Sequence, residues 1–208
     1  MKTSFKETIK QKNNKELESI AKDYAFYSVE ERLMVLEELE FRNSITKELL
    51  TDKKNIESSI ERITITEQVE EAVKSEKKIY TGNAVWFGSM LGGPLVAGYL
   101  IAENFKAFKE ISKAKKTWIY TILATIVIFS TAPLIPNDLN IPKLSIPFLY
   151  TAIAYLFVKH FQSKNISAFI VLGGTPFSWL RTIVVSAIGL VTTLILLFVV
   201  LFFVTENG

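Results

Sequence analysis

The chain has 208 residues, 49% of them hydrophobic, and most of its charge lies in the first 78 residues. Residues 1–78 carry 15 basic and 17 acidic side chains, whereas residues 79–208 carry nine basic and four acidic ones. This division excludes a single water-soluble globule and a fully disordered chain. Cysteine is absent, which excludes disulfides and thiolate metal sites, and the single histidine, His160, excludes a multi-histidine metal centre.

The charge division predicts two domains. We expect residues 1–78 to form a soluble, charged helical domain and residues 79–208 to form a transmembrane domain. The predicted fold class is all-α: an integral membrane helical bundle of about four transmembrane helices, preceded by a small soluble helical domain. The near-neutral balance of the first domain argues against binding to nucleic acid, which requires a concentrated basic face.

Residues 13–43 predict two short helices. Asn13 and Glu16 have the spacing of a capping box, and Ser28 and Glu31 form a second one. Apolar residues follow each box at helical spacing, and glutamates solvate much of the second helix.

Residues 44–78 give a less regular pattern. We expect a short helix from Ser44 to Leu50, a break at residues 52–55, and a further helix that begins near Thr66. Residues 56–63 fit a helical face, although residues 62–66 alternate like a strand.

Four apolar runs predict the membrane segments, at about residues 79–102, 117–137, 141–158 and 182–205. A bilayer core about 30 Å thick needs roughly 20 helical residues. The first, second and fourth runs meet that length. The third is short unless Lys143 extends its ammonium group to the interface.

The first run contains Gly92, Gly93 and Pro94 near its midpoint. Proline removes a backbone donor and two glycines add flexibility, so a break in the helix is expected there. We prefer a kinked spanning helix, in which Gly88 and Gly92 allow close helix packing. The alternative is a re-entrant segment that enters and leaves the membrane on one side.

The two alternatives give different orientations. With four spans, eight basic residues of the 103–116 and 159–181 loops lie opposite the N-terminal domain, and the positive-inside rule then places that domain outside. A re-entrant first run places the domain and both loops together in the cytoplasm. We expect a cytoplasmic N-terminal domain, because a charged segment of nearly 80 residues is difficult to translocate.

Polar residues at the ends of the runs form the candidate site. Four spans bring Glu103, Asn104, His160, Trp179 and Arg181 to one membrane boundary, where a carboxylate, an imidazole and a guanidinium can bind an anion or relay a proton. The ordinary alternative, which we prefer, is interfacial anchoring. The five lysines between residues 106 and 116 are interpreted first as a topology signal and second as a site for anionic headgroups.

The membrane half resembles an uncharacterised family of small bacterial multi-pass membrane proteins. The resemblance lies in residues 92–105 (GGPLVAGYLIAENF), in the proline-spaced segments at 134–136, 141–142 and 145–147, and in residues 173–181. Residues 14–43 are similar to a helical motif that precedes membrane spans in other bacterial proteins. The resemblance implies a bacterial inner-membrane location and no particular activity.

We therefore expect a non-enzymatic membrane protein, without cofactor, metal site or catalytic residue, that anchors an interaction or assembly module. Its expected partners are the lipid bilayer and a protein or second copy, bound through the N-terminal helices or the small-residue faces. The second hypothesis is a small transporter or channel component that uses the Gly-Gly-Pro break. An intramembrane enzyme is the third.

Overall fold

The computed structural model describes the backbone of residues 2–131, 142 and 145–206, and their side chains except at residues 2–4, 197 and 199–206. Every regular element in this part of the chain is an α-helix, which confirms the all-α prediction. The helices are α1 (Lys2–Gln11), α2 (Asn14–Lys22), α3 (Val29–Phe41), α4 (Lys47–Lys74), α5 (Gly82–Gly92), α6 (Pro94–Ala107), α7 (Ile111–Thr131), α8 (Ser145–Phe161), α9 (Ser163–Val171) and α10 (Trp179–Glu206).

The chain divides into two compact units, Met1–Thr64 and Ile65–Gly208. The division falls inside α4, whereas the change in charge indicated a boundary after residue 78. Hydrophobic burial accounts for the difference, since Val69 and Ala72 of α4 are buried in the core of the second unit. The distribution of charged residues along the sequence shows where the chain becomes apolar. It does not show which hydrophobic core a helix packs into.

The first unit begins with the predicted caps. Asn13 and Ser28 each accept a hydrogen bond from the backbone of the residue three positions on, and Glu16 and Glu31 return the bond, so both capping boxes are confirmed. Apolar residues of all four helices pack in one small core. Its buried members are Ile9, Leu17, Ile20, Ala21, Val35, Leu36, Leu39, Leu49 and Ile56.

The predicted break at residues 52–55 is wrong, because α4 runs without interruption for 28 residues. The charges that suggested a break have partners on α3. Asp52 Oδ2 accepts a hydrogen bond from Arg32 Nη2 at 2.6 Å, and Lys53 is paired with Glu40. The strand-like alternation at residues 62–66 likewise lies within this helix.

Arg32 anchors α3 to its neighbours. Its side chain is only 5% exposed, its Nε donates to the carbonyl oxygen of Ala21 at 2.8 Å, and its guanidinium lies 3.7 Å from the centre of the Tyr24 ring. The Asp52 carboxylate supplies the compensating negative charge.

We expect Asp52→Ala to destabilise the first unit by about 3 kcal/mol, because it leaves the buried Arg32 guanidinium without its counter-ion. The matched control is Glu48→Ala, which removes an exposed partner of Lys22 on the same helix and costs less than about 1 kcal/mol. Hydrogen–deuterium exchange of α3 in the full chain measures both. The expected result is roughly 100-fold faster exchange for Asp52→Ala alone, and equal exchange in the two variants contradicts the assignment.

The second unit is built around α6. Helix α6 packs against α5, α7, α8 and α10, and α5 packs against α8 and α10. The largest fully buried side chains of this unit are Tyr80, Phe105, Phe108 and Phe169.

The first apolar run is a helical hairpin, so the preferred prediction of one kinked helix is wrong. The position of a Cβ on Gly88 lies 2.6 Å from Leu100 Cδ1, although twelve residues of continuous helix measure about 18 Å. The chain reverses at Gly93, whose φ of 84° and ψ of −178° favour glycine. Pro94 then occupies the first position of α6, where its missing N–H leaves no broken hydrogen bond.

One described helix is long and apolar enough to cross a membrane. Its window Trp179–Leu196 has a mean hydropathy of 1.9, and 11% of that window is buried. The predicted bundle of about four transmembrane helices is therefore not established, since the first run is divided between α5 and α6 and the described part of α7 ends at Thr131. Most of the proline-spaced segments between residues 134 and 142, together with Lys143, lie outside the described residues.

Candidate functional site

The two ends of the hairpin are joined by a buried amide. Asn104, at the end of α6, accepts a hydrogen bond from the Tyr80 N–H at 2.7 Å and donates one to the Tyr80 carbonyl at 2.8 Å. Both residues are fully buried, and Tyr80 precedes α5 in non-helical backbone. The Asn104 side chain therefore gives the peptide groups of Tyr80 the partners that helix or sheet would otherwise supply.

Gln162 extends this network to the end of α8. Its Oε1 accepts a hydrogen bond from Asn104 Nδ2 at 3.0 Å, and its Nε2 donates to the Ile101 carbonyl at 2.9 Å. Gln162 is 1% exposed, so the primary amides of both residues are removed from water and paired with each other. A buried polar network of this kind holds its members in one arrangement when every group is satisfied.

The start of α10 is attached to the same tyrosine. Arg181 Nε donates to the Tyr80 hydroxyl at 3.1 Å, and the Arg181 guanidinium lies 3.9 Å from the centre of the Phe177 ring. The Phe177 N–H donates to the Ile79 carbonyl at 2.8 Å. We call Tyr80, Asn104, Gln162 and Arg181 the Tyr80 clamp, because they hold the ends of α5, α6, α8 and α10 together.

The opposite end of the hairpin packs closely on α10. Gly92, Gly93 and Pro94 form the hairpin tip. A Cβ on Gly92 would lie 2.9 Å from the Ser186 carbonyl oxygen, and a Cβ on Gly189 would lie 3.0 Å from the Gly92 carbonyl oxygen. The Thr193 hydroxyl donates to that same carbonyl at 3.3 Å and so satisfies one acceptor that the end of α5 leaves free.

The predicted boundary cluster is only partly brought together. Asn104 and Arg181 meet through Tyr80, as described above. Glu103 is paired with Lys106 at 2.7 Å on its own helix, and His160 is exposed with its ring against Phe161. None of the contacts among the described residues joins His160 to Glu103 or Arg181.

The remaining predicted residues have packing roles. Trp179 contacts the Phe87 ring edge to face, with centroids 5.6 Å apart. Gly88 and Gly92 lie where α5 meets α6 and α10, and Gly93 and Pro94 form the turn. A Cβ at Gly88 or Gly92 would lie less than 3.0 Å from an atom of a neighbouring helix.

The contacts of the clamp are hydrogen bonds and one guanidinium–ring contact. The oxygen and the nitrogen of each side-chain amide have at least one hydrogen-bond partner. The described residues contain no group of three or more histidine or acidic side chains arranged to hold a metal ion. Among the buried side-chain nitrogen and oxygen atoms of the described residues, Thr182 Oγ1 is the one without a hydrogen-bond partner.

The sequence prediction missed Tyr80 and Gln162. Gln162 carries a recoverable signal, since it lies four residues after the buried Val158 and continues the same helical stripe through Ile166 to Phe169. A glutamine in an apolar stripe indicates a buried hydrogen-bond partner. Tyr80 has no such signal, because it lies near the start of an apolar run that contains other aromatic residues.

The lysine-rich turn, residues 106–116, joins α6 to α7. Three of its lysines form ion pairs with glutamates, and the other two do not form ion pairs with described carboxylates. Lys106, Lys109 and Lys113 are paired with Glu103, Glu71 and Glu110 respectively. Lys115 and Lys116 are exposed, and no described carboxylate forms an ion pair with either.

The pairing of Glu71 predicts a pH dependence. The hydrogen bond from Lys109 lowers the pKa of the Glu71 carboxyl below its ordinary value of 4.5, and burial opposes the shift. A lowered folded-state pKa gives stabilisation that is present above the unfolded pKa and lost as the pH falls through the folded pKa. We expect Glu71→Gln to lower the melting temperature slightly at pH 7 and to have no effect near pH 2. The comparison variant is Glu70→Gln, which removes only a longer contact with Lys74 on the same helix, at 3.8 Å, and is expected to have a smaller effect. A Glu71→Gln effect of the same size at both pH values contradicts this pairing.

No family model matches the chain, and no curated protein or solved structure matches it either. The resemblance to small bacterial multi-pass membrane proteins therefore stays a prediction.

Proposed function

We propose that this protein is a multi-pass membrane anchor that presents a helical protein-binding module at the membrane surface. The observation that carries the proposal is the apolar surface of α7, α8 and α10. Large aliphatic and aromatic side chains on these helices are half exposed or more, including Leu123, Ile126, Val127, Phe148, Leu149, Ile153, Leu156, Ile188, Val191, Leu194 and Ile195. Soluble monomers rarely expose apolar patches of this extent.

Three hydroxyl side chains of the same helices are buried instead. Thr151 is fully buried on α8, and Thr182 and Ser186 are buried on α10. The Ser186 hydroxyl donates to the Thr182 carbonyl at 2.7 Å. Apolar residues outside and hydroxyl groups inside are typical of helices whose solvent is lipid.

The hairpin supports a specific topology. Helix α5 begins at the Tyr80 clamp and α6 ends there, so the chain leaves the membrane on the side from which it entered. Helices α7, α8 and α10 then make three crossings. Thr193, which contacts the hairpin tip, is about 16 Å along α10 from Thr182 and therefore near the middle of a 30 Å core.

This re-entrant topology resolves the conflict in the basic residues. In this topology, the basic residues of the second half lie on the same side of the membrane as the N-terminal segment. They are the five lysines between residues 106 and 116, Lys159, Lys164 and Arg181, and they join Lys74, Lys77 and Lys78 on that side. The positive-inside rule then assigns this side to the cytoplasm, and a bacterial inner membrane is the location that the resemblance implies.

An anchor is better supported than a transporter. Transport through a broken helix requires backbone groups that face a polar path. Here Thr193 donates to the Gly92 carbonyl, and the groove beside Pro94 is lined almost entirely by apolar atoms. Among the described residues, the hairpin tip is a close packing contact with α10.

The binding surface that we propose is an aromatic corner of the first unit, formed by Tyr24, Phe26 and Val29. Phe26 is 86% exposed, yet its backbone is held in place because its N–H and that of Ala25 both donate to Asp23 Oδ1 at 3.1 Å. Arg32 fixes the Tyr24 ring. Exposed aromatic side chains on ordered backbone are typical of protein-binding sites.

Photocrosslinking in native membranes tests this function. A photoreactive amino acid in place of Phe26 in the full chain is expected to give a discrete adduct in the membrane fraction. The same photoreactive amino acid in place of the exposed Lys15 is expected to give none. The mass of the adduct distinguishes a second copy of the chain from a different protein. Equal labelling at both positions, no adduct, or recovery of the protein in the soluble fraction contradicts the proposal.

A further inference from the structure

A long apolar groove lies beside the hairpin, between α6, α7 and α8. It has a volume of about 220 Å³ and is lined by Pro94, Gly98, Ile101 and residues of the two other helices. The α7 wall extends from Thr117 to Ile128, which corresponds to about 16 Å of helix. This length matches one leaflet of a bilayer core that is about 30 Å thick in total.

The groove reaches Pro94 at the hairpin tip and Thr117, which follows Lys116 in α7, at its other end. At that end Phe157 lines the groove and packs on Phe105, with ring centroids 6.3 Å apart. Lys113 Nζ lies 5.8 Å from the centre of the Phe105 ring, which places a cation at the mouth of the groove.

Lys116 supplies a second cation there. It precedes the groove residue Tyr120 by four positions, so the two share one face of α7. Lys113 is balanced by Glu110 at 2.6 Å, whereas Lys116 is exposed and none of the described carboxylates pairs with it. The mouth of the groove therefore carries net positive charge.

We propose that this groove binds one acyl chain of an anionic phospholipid, whose phosphate is held by Lys116 at the cytoplasmic boundary. A lipid fits this groove better than a helix of a second copy does. A lipid matches the apolar lining and the length of one leaflet, and its phosphate pairs with the positive charge at one end, which an apolar helix would leave without a partner. The inference rests on the proposed membrane insertion and adds a specific ligand to it.

Lipid titration of the purified full chain tests the site. Native mass spectrometry compares binding of phosphatidylglycerol and phosphatidylcholine with identical acyl chains, and glycerol phosphate serves as a probe for the headgroup alone. We expect wild type to prefer phosphatidylglycerol and not to retain glycerol phosphate. Lys116→Gln is expected to weaken phosphatidylglycerol binding about fivefold without affecting phosphatidylcholine. Lys115→Gln is the matched control, since Lys115 lies on a different face of α7.

A second variant tests the groove itself. Ala124 is exposed and lines the groove, so Ala124→Trp fills it without entering the packed core and is expected to weaken both lipids. Ile188→Trp, placed in a separate apolar groove between α6, α7 and α10, is expected to leave binding unchanged. The proposal is overturned by equal affinity of wild type for the two lipids, by equal effects of Lys116→Gln and Lys115→Gln, or by unchanged binding in Ala124→Trp. Each of those results leaves the membrane anchor intact, whereas a protein that stays soluble without detergent overturns both.

Discussion

Replacing Asn104 by leucine is expected to destabilise the second unit by about 3 to 9 kcal/mol, because it leaves three groups, the N–H and carbonyl of Tyr80 and Oε1 of Gln162, buried without partners. Each unsatisfied group costs about 1–3 kcal/mol. Unfolding in mixed micelles, followed by circular dichroism, measures the change.

The neighbouring residue provides the control for this substitution. Glu103→Gln removes an ion pair with Lys106 on the surface of the same helix, and it is expected to cost less than about 1 kcal/mol. If the two variants are equally stable, the Asn104 bonds do not hold the hairpin closed.

Replacing Gly92 by leucine is expected to prevent the hairpin from packing on α10. The new Cβ meets Val96 Cγ2 at 2.5 Å and the Ser186 carbonyl oxygen at 2.9 Å, and a backbone oxygen cannot rotate away. Overpacking usually costs about 1–3 kcal/mol, and we expect about 4 kcal/mol or more here because the clash involves backbone atoms of α10 as well as the Val96 side chain.

Two further variants complete the series. Gly93→Leu is also expected to prevent the hairpin from packing on α10. Leucine is strained at a φ of 84°, and its Cβ would lie 3.0 Å from Thr193 Oγ1. Leu95→Ile, in the first turn of α6, preserves volume and is expected to behave like wild type. The yield and melting temperature of detergent-solubilised protein rank the three variants, and equal values for all of them contradict the close packing of the tip.

The elements that could be predicted are those determined by nearby residues. The capping boxes at Asn13 and Ser28 depend on contacts three residues apart, and both were predicted correctly. The continuity of α4 was not predicted, because the partners of Asp52 and Lys53 lie 20 and 13 residues away on α3. A cluster of charges has the same sequence pattern whether it ends a helix or pairs with a neighbour.

The hairpin shows the same limit more clearly. Gly92, Gly93 and Pro94 indicate a break, but the same three residues suit a kink and a complete reversal. The contact that distinguishes them joins Tyr80 to Asn104 across 24 residues. The sequence placed Asn104 at a boundary with Glu103, His160 and Arg181, and only the fold shows that Asn104 faces inward while Glu103 and His160 face outward.

The most direct test of the re-entrant hairpin is the side of the membrane on which Lys15 and Lys115 lie. The chain contains no cysteine, so Lys15→Cys, Lys115→Cys and Gly208→Cys each introduce a single site for a membrane-impermeant maleimide. In sealed vesicles of known orientation, a re-entrant hairpin leads to labelling of positions 15 and 115 from the cytoplasmic side and of position 208 from the opposite side. Labelling of positions 15 and 115 from opposite sides would contradict it, because residues 79–102 would then cross the membrane.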